Sequence, residues 1–166
     1  MFAKNNLFLV ICLTLMISCA NEKNMQIGDI IDVAINNPSR SAENIEKDRF
    51  RKPADILKFS EVLPGMNVLD MVSNGGYYAE MLASIVGNKG SVLAHTFTRN
   101  KSNPDFSYDD YVNESEHMNN VSMMYADFDE ISLNENTLDR VFIVQNYHDL
   151  YFDRPGYGVD DVQPVL

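Results

Sequence analysis

Three groups of residues in this chain have types and spacing that could do chemistry. The first is Asp70, which closes an apolar run and is followed by the pair Gly75-Gly76 in "VLDMVSNGGYYAEMLA". Glycines at a strand-to-helix turn remove side chains, so the backbone can approach a ligand and the amides at the helix start can point at it. The second is "YADFDE", where Asp127 sits beside the apolar Phe128. The third is "QNYHDL", in which His148 supplies an imidazole, a group that can take up and release a proton. The same histidine also reads as a structural imidazole hydrogen-bonded to Asp149 or to the backbone, and both readings stay open. The dinucleotide signature G-x-G-x-x-G and the Gly-Lys-Ser/Thr phosphate loop are absent. The acid pairs at 109–110 and 160–161 lack ligand spacing with any His or Cys, which predicts no metal.

Those residues need elements to position them. After Gly65 the segments "NVLDMV", "GSVLAHTF", "VSMMYADF" and "LDRVFIVQNY" read as strands, the last as a long strand apolar on both faces. Between them, "YYAEMLASIVG" reads as a helix closing on Gly87, and "SYDDYVNESEHM" as a second helical stretch. Apolar strands alternating with helices predict an α/β domain with an open parallel sheet. Ligands of such sheets sit beyond the carboxyl ends of the strands, where the Asp70–Gly76 turn falls. Two helical segments precede the first strand, one starting after Ser41 and one with Pro53 as its first residue and "PG" at 64–65 as its end.

Composition limits the alternatives. The chain has 166 residues, with 45% apolar and 22% charged, the balance of one soluble globular domain. A formal charge of -11 would repel a phosphate backbone, so a nucleic-acid partner is not expected. The start of the chain has another character. Lys4, the apolar run "LFLVICLTLMI" and the small residue Ser18 before Cys19 form an export signal. The form "LMISC" resembles a bacterial lipoprotein cleavage box, which implies lipidation of Cys19 and attachment to a bacterial membrane, periplasmic or outer. The expected organisation is a signal peptide over 1–18, a tether over 19–41 and a folded domain over 42–166. Within the tether, "IGDIIDVAI" could form a short helix that packs on the domain.

At the glycine turn the chain resembles the class I S-adenosylmethionine-dependent methyltransferases, whose Rossmann-like sheet carries an acid and a glycine turn after its first strand. Gly76 matches the last glycine of that motif, and Gly75 is an extra one. A bacterial group of predicted methyltransferases, several of them exported, is similar over "RKPADILKFSEVLPGMNVLD", "GGYY" and "NYHDLY" in order. The resemblance implies that Asp70, Asn74, Gly75, Gly76 and Tyr77 hold the cofactor S-adenosylmethionine, with Tyr77 and Tyr78 capping the site. It puts Thr96 beside the ribose, where the family's usual acid is missing, and Asp127 with Phe128 at the adenine. Asn146 joins the cofactor site, and Tyr147 and His148 become the catalytic candidates facing a small-molecule methyl acceptor. The fold so implied has seven strands, of which about four are recognisable, so the domain reads as an N-terminal part of it. The fourth strand would then carry an uncovered edge, open to self-association. A membrane-anchored binding or scaffold domain without turnover is the alternative function.

Overall fold

A computed structural model describes residues 26–104 and 108–151. Its first helix, α1 (Ile27–Ile35), is closed at its start by reciprocal bonds between Gln26 and Asp29. It buries Ile31 and Ala34 completely. This stretch of the expected tether is therefore part of the core, because an apolar face of that width has to be removed from water. The α2 helix (Ala42–Arg51) starts where the Ser41 hydroxyl accepts the Asn44 N–H. Lys52 then adopts a left-handed conformation, and Pro53 opens α3 (Pro53–Ser60) as its first residue. That helix stops at a left-handed Glu61, ahead of the Pro-Gly pair.

Four strands follow: β1 (Asn67–Asp70), β2 (Ser91–Thr96), β3 (Val121–Tyr125) and β4 (Arg140–Phe142). They form one parallel sheet in the order β3-β2-β1-β4. The expected Rossmann-like open sheet of methyltransferase type is thus present, with β1 at its centre. Asp70 is in register with Ala94 on one side and Phe142 on the other. Adjacent side chains of β1 enter opposite cores, Val68 into one cluster and Leu69 into the other. Between β1 and β2 runs α4 (Tyr77–Val86), which ends on Gly87 at φ 62. Nine of its ten residues are buried, so it is a central helix rather than a surface one, and its Glu80 has to find partners inside. The short α5 (Tyr108–Glu114) lies between β2 and β3 and buries Tyr108 and Val112.

The fourth strand departs from expectation. It spans three residues, and its middle residue, Val141, is 53% exposed, so it is not buried on both faces. Pairing ends after Phe142, and the chain turns through a left-handed Gln145 into a 3-10 turn over Tyr147–Tyr151. An apolar run has the composition of a long strand, but this backbone reversal ends it early.

Candidate functional site

Between β1 and α4 the chain reverses within residues 71–76, and three of these, Val72 (φ 56), Asn74 (φ 48) and Gly76 (φ 73), are left-handed. Glycine and asparagine tolerate that region, whereas a β-branched residue there costs about 1–3 kcal/mol. Neighbouring strands hold the strained turn. Met71 N–H donates to the Phe142 carbonyl at 2.8 Å and Ser73 N–H to the His95 carbonyl at 2.8 Å. The Val72 N–H donates to His95 Nδ1 at 3.2 Å, and His95 Nε2 meets the Ala126 carbonyl at 2.9 Å. Since Nδ1 accepts, the proton resides on Nε2, and the ring is neutral. Burial lowers the pKa of His95 and keeps it so. His95 therefore clamps the β1 turn to the end of β3.

Asp70 is buried below this turn. Gly76 is the N-cap of α4 and has no side chain to offer, so the Asp70 carboxylate reaches up from β1 to the Ala79 N–H and to the Ser73 side chain. One oxygen, Oδ2, has no hydrogen-bond partner, and burial pushes the carboxyl up to about 7. The two glycines do different things. A Cβ on Gly76 would lie 2.4 Å from Tyr108 Cε2, so this glycine clears room for a tyrosine ring that also meets Ser73 Oγ at 3.3 Å. A Cβ on Gly75 would meet nothing within 4 Å. The expectation that both glycines open the turn to a ligand is corrected at Gly76, which serves packing.

Gly75 lines a cleft of about 220 Å³ at the carboxyl ends of β1 and β4. Its floor is Val72, Ser73 and Asn74, and one wall is Val144, Gln145 and Asn146. Asn146 is oriented by bonds from its amide to the Val144 carbonyl at 3.0 Å and the Val72 carbonyl at 3.5 Å. The opposite wall carries two cations of α2, Lys47 and Arg51, and the ring of Tyr77. Lys47 pairs with the exposed Glu43 at 2.9 Å, whereas Arg51 has no carboxylate partner among the described residues and lies 4.7 Å over Tyr77. Lys47 and Arg51 are one helical turn apart, so both face the cleft. In the sequence Arg51 reads either as a partner for a cofactor carboxylate or, more readily, as part of a solvated helix face, and Lys47 is passed over; their i, i+4 spacing was the available signal.

Tyr77 is fixed from below. Its hydroxyl donates to Asp48 Oδ1 at 2.7 Å, and Arg40 binds the same carboxylate through two nitrogens at 2.9 Å each. Burial works against the charge on Asp48, yet the bonds from Arg40 and Tyr77 hold its carboxyl below its ordinary range. Glu80 completes the network, accepting Ser41 N–H at 3.0 Å, Asn44 Nδ2 at 3.0 Å and the Tyr111 hydroxyl. Tyr77 is thus a rigid wall of the cleft rather than a movable cap. Tyr78 packs edge-on against Phe142 and borders a smaller adjoining hollow.

Other candidates lie elsewhere. Thr96 is buried, accepting from Asn100 at 2.7 Å and donating to Asn74 at 3.5 Å. Asp127 accepts the Thr98 N–H at 3.3 Å and caps the 3-10 turn Phe128–Glu130 with its side chain. Phe128 is stacked on His95 and set edge-on to Phe97 in the second core. None of these three lines the cleft; each has a structural task that accounts for it. Tyr147 and His148 are exposed and follow Asn146 directly, with the Tyr147 and Tyr151 hydroxyls 3.1 Å apart. Cys19 lies outside the described residues.

No protein-family model matches the chain, and no curated protein matches it. Among solved structures, an S-adenosylmethionine-dependent methyltransferase from Aquifex aeolicus aligns with TM-score 0.53 and 25% identity, over 76% of this chain and 61% of that one. A protein-L-isoaspartate O-methyltransferase aligns with TM-score 0.44 and 20% identity, over 54% of this chain and 27% of that one. The Aeropyrum pernix fibrillarin, solved with bound S-adenosyl-L-methionine, aligns with TM-score 0.33 and 19% identity, over 40% of this chain and 26% of that one. The chain thus spans about three fifths of the length of the Aquifex enzyme, with which it shares the class I methyltransferase arrangement of strands and helices.

Proposed function

We propose that this protein is an S-adenosylmethionine-dependent methyltransferase of the bacterial exported group, anchored by a lipid on Cys19 and acting on a small-molecule acceptor. One observation carries the reading: the cleft with two cations and an open glycine backbone lies at the carboxyl ends of the central strands. Its residues fit the amino-acid portion of the cofactor. Lys47 and Arg51 suit the carboxylate, Gly75 leaves its backbone accessible, and the Gln145 and Asn146 wall supplies polar groups for the ammonium.

When bound, the cofactor supplies an electrophilic methyl group. The chain contributes alignment and exclusion of water, because a methyl transfer from a sulfonium disperses charge and needs little else. Tyr77, locked by Asp48, and Asn146, locked by Val144, give the cleft rigid walls. His148, two residues beyond Asn146, receives a proton from an acceptor that has one to lose, and Tyr147 orients that acceptor.

Calorimetry of the purified chain against S-adenosylmethionine and S-adenosylhomocysteine tests the reading. Binding of both, weakened at least tenfold by Arg51→Ala, is the expected result. A folded chain that releases no heat with either compound refutes it. Tight binding without transfer to any acceptor selects the scaffold alternative.

A further inference from the structure

We infer that the surface of α2 and α3 bearing Phe50 and Phe59 docks on an anionic lipid bilayer; this rests on the proposed anchor at Cys19. Phe59 is 87% exposed and Phe50 69%, the two highest values among the exposed large apolar residues described. A phenylalanine so exposed is little covered by the domain and gains by entering an acyl boundary. Its neighbours suit the headgroups above that boundary. Along the sequence between the two rings stand Arg51, Lys52 and Lys58 against a single acid, Asp55, in a chain whose overall charge is -11. Among the described residues neither Lys52 nor Lys58 forms an ion pair. The Arg49 guanidinium lies 4.2 Å over the Phe50 ring, a cation stacked on an aromatic group as at a headgroup boundary.

Chain length brings this surface to the membrane. Cys19 precedes Gln26 by seven residues, which span at most about 25 Å when extended. Gln26 begins α1, and α1 packs against α3. A lipidated Cys19 therefore holds α3 close to the bilayer, where the acidic remainder of the domain is repelled by anionic lipid and the cationic stretch 51–58 is drawn to it. Arg51 follows Phe50 and lines the cleft, so docking sets the cleft beside the bilayer.

The chain contains no tryptophan, so Phe50→Trp and Phe59→Trp each install a unique fluorophore. The full lipidated chain is mixed with phosphatidylcholine vesicles with or without about a third phosphatidylglycerol, with Leu133→Trp as the solvent control. On anionic vesicles both probes should shift to the blue and be quenched by brominated acyl chains, while the control should not. Lys52→Glu with Lys58→Glu should weaken that quenching roughly tenfold or more. A chain that floats with the vesicles while either probe stays in water keeps the anchor and overturns the docking. A chain that does not float overturns both. A blue shift that needs no vesicles and grows with protein concentration assigns the surface to a second copy and refutes the lipid.

Discussion

Replacing His95 by phenylalanine isolates what its two nitrogens do. The ring shape is kept, so the stacking on Phe128 and the edge contact with Phe97 survive. The Val72 N–H and the Ala126 carbonyl, both paired through this imidazole, lose their buried partner. Each buried polar group left unsatisfied costs about 1–3 kcal/mol, so His95→Phe should destabilise by roughly 2–5 kcal/mol, out of the 5–15 kcal/mol typical of a domain. Urea melts followed by circular dichroism measure this loss. The variant should also bind the cofactor more weakly under conditions where it is still folded, because Val72 is then free to leave its left-handed conformation.

The same variant has a signature in pH. The pKa of His95 is lowered in the folded state, so its contribution is fully present above the unfolded value near ~6.5 and is lost as pH falls through that value. Below it the unfolded chain binds a proton that the folded chain refuses, and stability falls by up to ~1.4 kcal/mol per pH unit. Asp70 has the opposite sign. Its carboxyl, pushed up to about 7, keeps a proton in the fold that the unfolded chain has already released, so its contribution declines as pH rises from about 4 to 7. The parent's slope sums these and other groups, but the difference between parent and His95→Phe isolates the imidazole. That difference should narrow as pH drops from 7.5 to 5.5. A constant difference, or a loss below about 1 kcal/mol at pH 7.5, refutes the clamp.

The other predictions concern separate parts of the molecule. Gly75→Ala should leave the melting temperature within about 2 °C of the parent and weaken cofactor binding, since its Cβ enters the cleft and touches no protein atom; calorimetry and a thermal melt read both. Gly76→Ala should lower stability by more than about 2 kcal/mol through its left-handed backbone and the 2.4 Å approach to Tyr108, and adding Tyr108→Leu should recover part of the loss. Glu80→Ala should cost about 3–5 kcal/mol in chemical denaturation, because Ser41, Asn44 and Tyr111 lose their buried acceptor and Arg40 loses one of its two carboxylate partners. Cys19→Ser should remove the acyl mass and move the protein out of the membrane fraction; unchanged mass and fractionation refute lipidation.

The parts of the fold legible in the sequence are those governed by local pattern. Ser41 caps α2, Pro53 begins α3 and Gly87 ends α4 because each choice depends on its own backbone and immediate neighbours. The alternation of apolar strands and helices likewise led to a parallel sheet. What escaped is non-local. The role of His95 rests on partners 23 and 31 residues away, and neither distance leaves a mark in composition. Gly76 looked like a ligand-clearing glycine because the residue that needs the space, Tyr108, belongs to another helix. The end of β4 was missed because apolar periodicity carries no information about the left-handed Gln145 that terminates it. Lys47 and Arg51 show the intermediate case: their spacing was visible, but the cleft they face is created by β1 and β4.

The turn after β1 gathers these features into one physical argument. Left-handed Val72, Asn74 and Gly76 are not what an unsupported loop would choose, since a valine there loses about 1–3 kcal/mol to steric strain. The strain persists because the surroundings over-determine the turn: β4 takes the Met71 N–H, His95 takes the Val72 and Ser73 N–H groups, and Asp70 reaches the Ala79 N–H beyond it. These bonds consume the amides that face the sheet. The segment that remains accessible is Ser73 to Gly75, and it borders a stretch of α2 in which two cations one turn apart face the strand ends. A turn held this rigidly does not need to reorganise when a carboxylate arrives between Lys47 and Arg51, so the ordering cost of binding is met during folding rather than at the binding step. Loosening the clamp without touching the cleft should therefore weaken binding through entropy. In His95→Phe the residual affinity at low temperature should show a more unfavourable binding entropy than the parent, and an unchanged entropy would separate the clamp from the site.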